Sequence, residues 1–578
     1  MNSYTIEVLR PHQHIFKITL SFTAVQKITT LQVPYWRPGR YEGGNFTKNI
    51  IGFYASANGE SLWFEKTTSH NWKVETPMGS RVEVSYLCYA AELTAGNTYL
   101  DENFLLINPV NALVYVLEME NQPAEVVLKI NSSWMVATAM IENSKTNGQG
   151  AHRSYKCSDL QELLDTPILA APSIKTIKYK VDNIPFYIDI YGEGIDDFAQ
   201  LESDFLHFTE TQIAAFGEFP VNRYHFLLLL LPHKAYHGVE HETSTVIIIG
   251  PGAELKNRDL YKELIGVSSH ELYHTWNVKN LRPAEFTPYD FTRPTFSKLG
   301  YIVEGVTTYM GDKMLWESGF FDNEGFLNEI STHVQRHMDN EGRLNLSLAD
   351  SSVDTWVDGY GRGTPRRRVS IYVEGALVAF VCDVKIWKAS GGKKSLTDVM
   401  RRLYEKFGGK KGFTETDYWD EIKLAAGFDW DRLKLELVDQ PGHLQKYFRE
   451  VLEEIGLSLS ANASEKSWER DLGISVAELN GNWEIINILE NSPAEEAGLW
   501  FGDKILKVND EPAANFFASA DAYNLKTVKF EVQSGINLKT IKVIPDGEVW
   551  MRKYKVIPQH EEKLFAQWKG SLSHGVKK

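Results

Sequence analysis

The chain has 578 residues, 43% of them hydrophobic and 24% charged, with a formal net charge of −15. That balance is ordinary for folded globular protein of roughly three or four domains, and its sign argues against nucleic acid or an anionic membrane as the main partner. Three cysteines, Cys88, Cys157 and Cys382, are too few and too scattered for a disulfide framework or a thiolate metal site, and the longest apolar run, Phe226 to Leu231, is far too short to span a bilayer.

The amino terminus, MNSYTIEVLRPHQHIFKITL, alternates apolar and polar residues and has no signal-peptide apolar core, so a cytoplasmic protein is expected. Through about residue 170 the chain reads as strands: YTIEVL, IFKITLSF, ITTLQVPYW, RVEVSYLCY, ALVYVLEM and AEVVLKI, punctuated by Gly, Pro and Asn. No long helical period interrupts them, so an all-β, sandwich-like domain over residues 1–172 is the economical reading. PYWRPGRYEGGNFTKNI, residues 34 to 50, is unusually rich in Trp, Tyr, Arg and Gly for a plain connection. Aromatic turn packing suits it at least as well as a functional loop does.

From about residue 175 the character changes. A strand pair (TIKYKV, FYIDIYG) leads into Ile195 to Phe216, where Phe198, Leu201, Phe205, Phe208 and Ile213 mark an amphipathic helix. Two short strands follow, YHFLLLLL (224 to 231) and STVIIIG (244 to 250), with His237-Gly238-Val239-Glu240-His241-Glu242 between them. Next comes His270-Glu271-Leu272-Tyr273-His274, an HExxH, on a helix marked by Leu260, Leu264, Val267, Leu272 and Trp276 and ended before Pro283. Residues i and i+4 of a helix share a face, so the two imidazoles can grip one metal ion and leave Glu271 beside its bound water.

Catalytic zinc keeps three protein ligands. The candidate for the third is Glu304, near the start of a second helical pattern carried by Tyr301, Val306, Tyr309, Met310 and Met314. An acidic first-turn residue favoured by the helix dipole is the plainer alternative. Further helical patterns run near 325 to 338, 371 to 389, 395 to 407 and 443 to 455. Strands followed by a helical lobe, with HExxH on the first long helix, resemble the thermolysin-type catalytic domain, here over residues 173–460. Within it, residues 341 to 370 form a long connection ending in Arg366, Arg367 and Arg368, a run that suits a solvated charge cluster better than a receptor for a substrate carboxylate.

After a polar stretch near 458 to 468, Ser492-Pro493-Ala494, Ala497-Gly498-Leu499 and Gly502-Asp503-Lys504-Ile505-Leu506 resemble a PDZ domain over residues 465–548. Leu472-Gly473-Ile474 occupies the position of its carboxylate-binding loop, while the groove helix around Ala518 to Leu525 is short. A peptide or protein ligand and a purely structural docking role both stay open. Residues 549–578 read as a polar tail.

HExxH running into Thr275 to Pro283 resembles the PDZ-containing glycyl aminopeptidases of the gluzincin clan, and the likeness extends along nearly the whole chain. Val303-Glu304-Gly305-Val306 is similar to that family's ligand-glutamate segment, Gly238-Val239-Glu240-His241 to its GGLEH element, and Tyr372 to Ala379 to its YxKGALVA segment. The resemblance implies a multidomain α+β protein and one zinc per chain, held by His270, His274 and Glu304. Glu271 then acts as general base toward a zinc-activated water, and Tyr372 as donor to the oxyanion. Glu240 binds the free α-ammonium of a peptide, and Gly238, Val239 and His241 belong to the substrate-binding element. Three positions depart from the family pattern: His237 replaces its first glycine, Glu374 its lysine and Val303 its serine. The implied activity is removal of a small N-terminal residue, Gly or Ala, from peptides with a free N-terminus. The rivals are a zinc endopeptidase on the same fold and a PDZ-based scaffold with a vestigial metal site.

Overall fold

The computed structural model describes residues 1–143, 152–427, 430–519, 526–559 and 562–572. Strand Asn2–Arg10 lies within an eight-stranded sheet, parallel to Ala124–Lys129 and antiparallel to Ile15–Thr23, which pairs in turn with Arg81–Tyr89. Alternation decides which face is buried: in Arg81–Tyr89 the residues Val82, Val84, Tyr86 and Cys88 point inward. Two four-stranded sheets complete this β domain, and its core also takes in Phe286, Tyr289, Phe291 and Val303 from far along the chain.

The metal-facing part starts from a five-stranded sheet. Ile184–Gly192, Tyr224–Leu230 and Ser244–Gly250 run parallel and are covered on both faces, which is why two of them read as unbroken apolar runs. Ala235–Glu240 closes one edge, antiparallel to Ser244–Gly250. Asp197 caps the helix Phe198–Phe216 by accepting from the Gln200 N–H at 2.9 Å. The helical lobe beyond is built around Ile371–Ala389, which is buried on nearly every side, as its lack of a polar face requires. No helix among the described residues is long and apolar enough to cross a membrane.

Three stretches differ from the sequence reading. Residues 341 to 370 are not a structureless connection, because Ser347 accepts from the Asp350 N–H at 3.0 Å and starts the helix Leu348–Asp358. The arginines that end the stretch are not a solvated run either. Arg366 Nε lies 2.8 Å from Glu341 and its Nη1 2.7 Å from Glu495, while Arg367 pairs with Asp354 at 2.7 Å and Arg368 with Asp358 at 3.6 Å. The third stretch is the carboxyl-terminal segment expected as a polar tail. Arg552–Pro558 pairs as a strand with Leu457–Ala463, and Glu562–Leu572 is a helix. Phe565 and Trp568, one helical turn apart, pack on Trp316 in the catalytic core. Two aromatic residues in a polar stretch were too sparse to read as a helix face.

The PDZ sheet runs Ile474–Leu479, Asn482–Ile488, Lys504–Val508, Val528–Ser534, Asn537–Val543. Helix Ala513–Ser519 overlaps the expected groove helix only at residues 518 and 519, and residues 520 to 525 of that expectation fall outside the described residues. At the carboxylate-loop position the Gly473 N–H donates to the Trp468 carbonyl, closing a short helix, Ser467–Leu472. Arg362 clamps the unit to the catalytic lobe: Nη1 pairs with Glu484 at 2.9 Å, Nη2 donates to the Ile485 carbonyl at 3.0 Å, and the guanidinium stacks 4.1 Å from the Phe501 ring.

Since Trp568 is fully buried, Trp568→Ala is expected to destabilise the protein by about 3–5 kcal/mol. Urea unfolding followed by far-UV circular dichroism measures this; a loss within ±0.5 kcal/mol, the range of an ordinary surface site, would show that the terminal helix is not part of the core.

Candidate active site

Helix Arg258–Tyr273 carries His270 in its last turn, and His274 follows one turn later on the same face. The two Nε2 atoms stand 3.0 Å apart. The chain then makes a wide turn, Thr275–Asn280, kinked at Asn277 (φ −104°, ψ 85°). The kink brings the Asn277 carbonyl to 2.8 Å from His274 Nδ1. A carbonyl only accepts, so Nδ1 carries a proton, and in the neutral ring Nε2 is the nitrogen left to bind a metal. Asn277 Nδ2 donates to the Ile302 carbonyl at 2.9 Å and to Thr307 Oγ1 at 3.1 Å, tying down the second helical segment. From that segment Glu304 places Oε2 3.3 Å from His274 Nε2 and 3.8 Å from His270 Nε2.

The residues fit a zinc ion. Ligand atoms about 2.0–2.1 Å from a tetrahedral ion stand roughly 3.3 Å from one another, close to the spacings found here. One atom from each of His270, His274 and Glu304 lies within 4.8 Å of the others, a two-imidazole, one-carboxylate donor set. Beside it, Glu271 Oε2 and Glu240 Oε1 are buried with no hydrogen-bond partner.

Strand Ala235–Glu240 supplies the opposite wall. The His241 N–H donates to the Ser244 carbonyl at 2.9 Å, and antiparallel alternation from that pair turns the backbone groups of Val239 toward Val246. The free edge therefore presents Gly238 and Glu240. Their side-chain face is also the one toward the histidines: a β-carbon at Gly238 would run into the Glu271 carboxylate, and Glu240, Glu271 and His274 offer atoms within 4.8 Å of one another. Val239, His241 and His237 point the other way. Val239 packs in a small apolar cluster with Leu106 and Leu229. His241 Nδ1 lies 3.0 Å from Asp165, which also holds Lys279 at 2.9 Å, and His237 Nδ1 accepts from the Ala95 N–H at 3.2 Å. Of the expected substrate element, Val239 and His241 thus contribute no side chain to the site, and His237 faces the β domain rather than the histidines. Glu374 is likewise turned away, 2.5 Å from His337 Nδ1.

Tyr372, in the first turn of Ile371–Ala389, does reach the site. Its hydroxyl stands beside that of Tyr360 and within reach of the Glu304 charge, and burial followed by that charge pushes its pKa well above 10. Tyr41 stands beside Glu304 and holds its pKa down, and the Tyr41 N–H donates to the Tyr360 hydroxyl at 3.4 Å. Gly39 (φ 77°) presses against the Glu240 carboxylate so closely that no side chain fits, and the buried Arg37 lies within electrostatic reach of that carboxylate. Tyr41, Gly39 and Arg37 all come from the aromatic and arginine-rich stretch 34 to 50, and Tyr360 from the long connection. Both segments stand out in the sequence, the first by its composition and the second by its length, but neither carries a spacing rule that points at His270, His274 or Glu304.

Burial dominates the electrostatics. It raises the Glu271 carboxyl well above the usual carboxylate range, with Glu240 and Glu304 adding to the shift while His274 and Arg37 oppose it. Glu304 is raised by the same cause against the pull of His274. Burial alone would lower His274, but the adjacent Glu304 outweighs it and lifts the imidazole to about 9; His270 is driven well below 6.5 by burial and by His274.

The profile of the Peptidase M61 N-terminal domain matches residues 3–172, that of the M61 glycyl aminopeptidase matches 263–378 and that of the PDZ domain matches 448–533. Among solved structures, the aminopeptidase N family protein from Idiomarina loihiensis is similar over 99% of this chain and 100% of its own, with a TM-score of 0.91 at 24% identity. The M1 zinc metallopeptidase from Deinococcus radiodurans aligns over 74% of this chain and 90% of its own, with a TM-score of 0.48 at 14% identity. No match was found among curated proteins. The three profiles follow one another along one chain and the catalytic one spans HExxH, Glu304 and Tyr372, an order that matches the PDZ-containing glycyl aminopeptidases and marks the chain as a metallopeptidase.

Proposed function

We propose that this metallopeptidase removes single small residues, Gly or Ala, from the free N-termini of peptides, with one zinc per chain on His270, His274 and Glu304. The observation that supports an exopeptidase best is Glu240, a buried carboxylate with an unpartnered oxygen on the free edge beside the histidines. A peptide laid along that edge meets the backbone of Gly238 and Glu240 as an added strand. Its α-ammonium meets the Glu240 carboxylate, a charge-assisted hydrogen bond of about 1.5–3 kcal/mol, and that contact sets the cut one residue from the end.

Zinc held at this site supplies a Lewis acid and lowers the pKa of water from about 15.7 to near 7. Glu271 takes the proton of the attacking water on Oε2, its partner-free oxygen, and passes it to the leaving nitrogen. A carboxylate whose proton affinity burial has raised suits both transfers. Tyr372 stays protonated because its pKa is raised, so its hydroxyl donates to the developing oxyanion, a contribution of about 3 kcal/mol. Tyr360 orients that hydroxyl, and Tyr41 orients Glu304. The PDZ unit serves as a docking module held by Arg362 and Arg366 rather than as a receptor for peptide C-termini, since its Gly473 N–H is already used.

Glu271→Gln is expected to keep one zinc per chain by metal analysis and to lose turnover by several orders of magnitude; an active variant would reject the base assignment. Glu304→Ala is expected to weaken zinc retention in a chelator competition, and unchanged retention would point to a different third ligand. Glu240→Ala should lower kcat/KM on a free aminoacyl-anilide by about 10- to 100-fold and change cleavage of an N-acetylated peptide far less. Equal losses on the two substrates would favour an endopeptidase.

A further inference from the structure

Against the turn whose Gly39 touches the Glu240 carboxylate lies a cavity of about 580 Å³, large enough for one or two amino-acid residues. It opens between the turn at residues 37 to 49 and the segment 89 to 98 of the β domain, and its charged lining is Arg37, Arg40, Lys48, Glu42 and Glu92. These charges are not equally available. Arg40 pairs with Glu42, which also accepts from the Tyr360 N–H at 3.3 Å, so those two are committed to each other and to the loop at 360.

Arg37 is different. It is 4% exposed, packs against Gly96, and no carboxylate among the described residues comes within 4.0 Å of it. A guanidinium has five N–H donors, and the hydrogen bond Arg37 makes is a long one, Nη1 to the Pro38 carbonyl at 3.2 Å. A buried arginine whose task was to neutralise Glu240 would sit in bidentate contact with it. Instead it stands apart, near enough to Glu240, Glu271 and Tyr372 to act on them electrostatically, and it forms part of the cavity's lining. The same turn presses Gly39 onto Glu240. One four-residue turn, Arg37 to Arg40, therefore touches the ammonium acceptor and carries a partner-poor guanidinium.

We propose that this cavity is a subsite for a carboxylate of the peptide substrate, with Arg37 as its receptor, so that the enzyme favours short peptides carrying an anionic group within a residue or two of the N-terminus. The inference rests on the aminopeptidase reading, which gives Glu240 the substrate's ammonium and so places the peptide beside Arg37. A carboxylate can come from the C-terminus of a dipeptide, from a side chain at the second residue or from a side chain at the first, and the last source would replace the Gly or Ala preference while leaving the aminopeptidase reading in place.

Binding to the zinc-loaded Glu271→Gln protein, followed by calorimetry without turnover, separates these sources. The pairs are Ala-Ala against Ala-Ala-amide, Ala-Glu-amide against Ala-Gln-amide, and Glu-Ala-amide against Gln-Ala-amide. At least one acid is expected to bind 10- to 100-fold more tightly than its amide. The pair that shows the difference names the source, and Arg37→Gln in the same background should shrink the ratio toward one. Equal affinities within all three pairs would overturn the subsite without needing the Arg37 variant to fold. So would a ratio that Arg37→Gln leaves unchanged. Cleavage of Ala-Ala-amide by the unsubstituted enzyme tests the aminopeptidase reading separately, so the failure of one is distinguishable from the failure of the other.

Discussion

One buried asparagine joins the two halves of the metal-facing cluster. Asn277 offers its carbonyl to His274 Nδ1 and its side-chain amide to the Ile302 carbonyl and Thr307 Oγ1. The first contact selects the imidazole tautomer. The other two hold the segment that delivers Glu304. A carboxylate thirty residues beyond His274 thus meets it at 3.3 Å because a kinked turn leaves one backbone carbonyl and one amide free to point where they are needed. Orienting contacts of this kind are commonly worth 10- to 100-fold in metal affinity.

Around that joint the domains complete one another. The β domain sends Arg37, Gly39 and Tyr41 to the Glu240 and Glu304 carboxylates. It also sends Asp165, which binds His241 and the buried Lys279 at once and is held far below the usual carboxylate range by those charges against the cost of burial. Breaking one partner of such a buried pair is costly because the other is left charged and dry. The edge strand is thereby fixed at its carboxyl end, one residue past Glu240. Cross-domain burial does the rest, since Trp36 packs among Phe286, Tyr289, Phe291 and Trp356.

The loop near 360 links the site to the PDZ unit. Tyr360 touches Tyr41 and Tyr372 at one end, and Arg362 and Arg366 grip the PDZ sheet through Glu484, Glu495 and two backbone carbonyls at the other. Pairs this exposed contribute little singly. Their position makes the PDZ unit and the terminal helix parts of the scaffold that supports the catalytic lobe, not appendages to it.

What could be read from the chain alone was whatever local periodicity encodes. Period-2 alternation marked the β domain, unbroken apolar runs marked the parallel strands, and two histidines four residues apart marked a metal-facing helix. The family likeness carried by HExxH, the Glu304 segment and the PDZ turns was equally legible, because each is a contiguous run. Only the tertiary structure decided the rest. Register along Ala235–Glu240 turned Gly238 and Glu240 toward the histidines and Val239 and His241 away from them, a choice made by hydrogen bonds to a neighbouring strand. Trp568 became core and Arg366 a clamp because of partners that lie more than a hundred residues away in the chain. Short-range spacing says which face of its own element a side chain occupies. It carries no information about what packs against that face, and at this site the partner supplies the charge, the hydrogen bond and the exclusion of water.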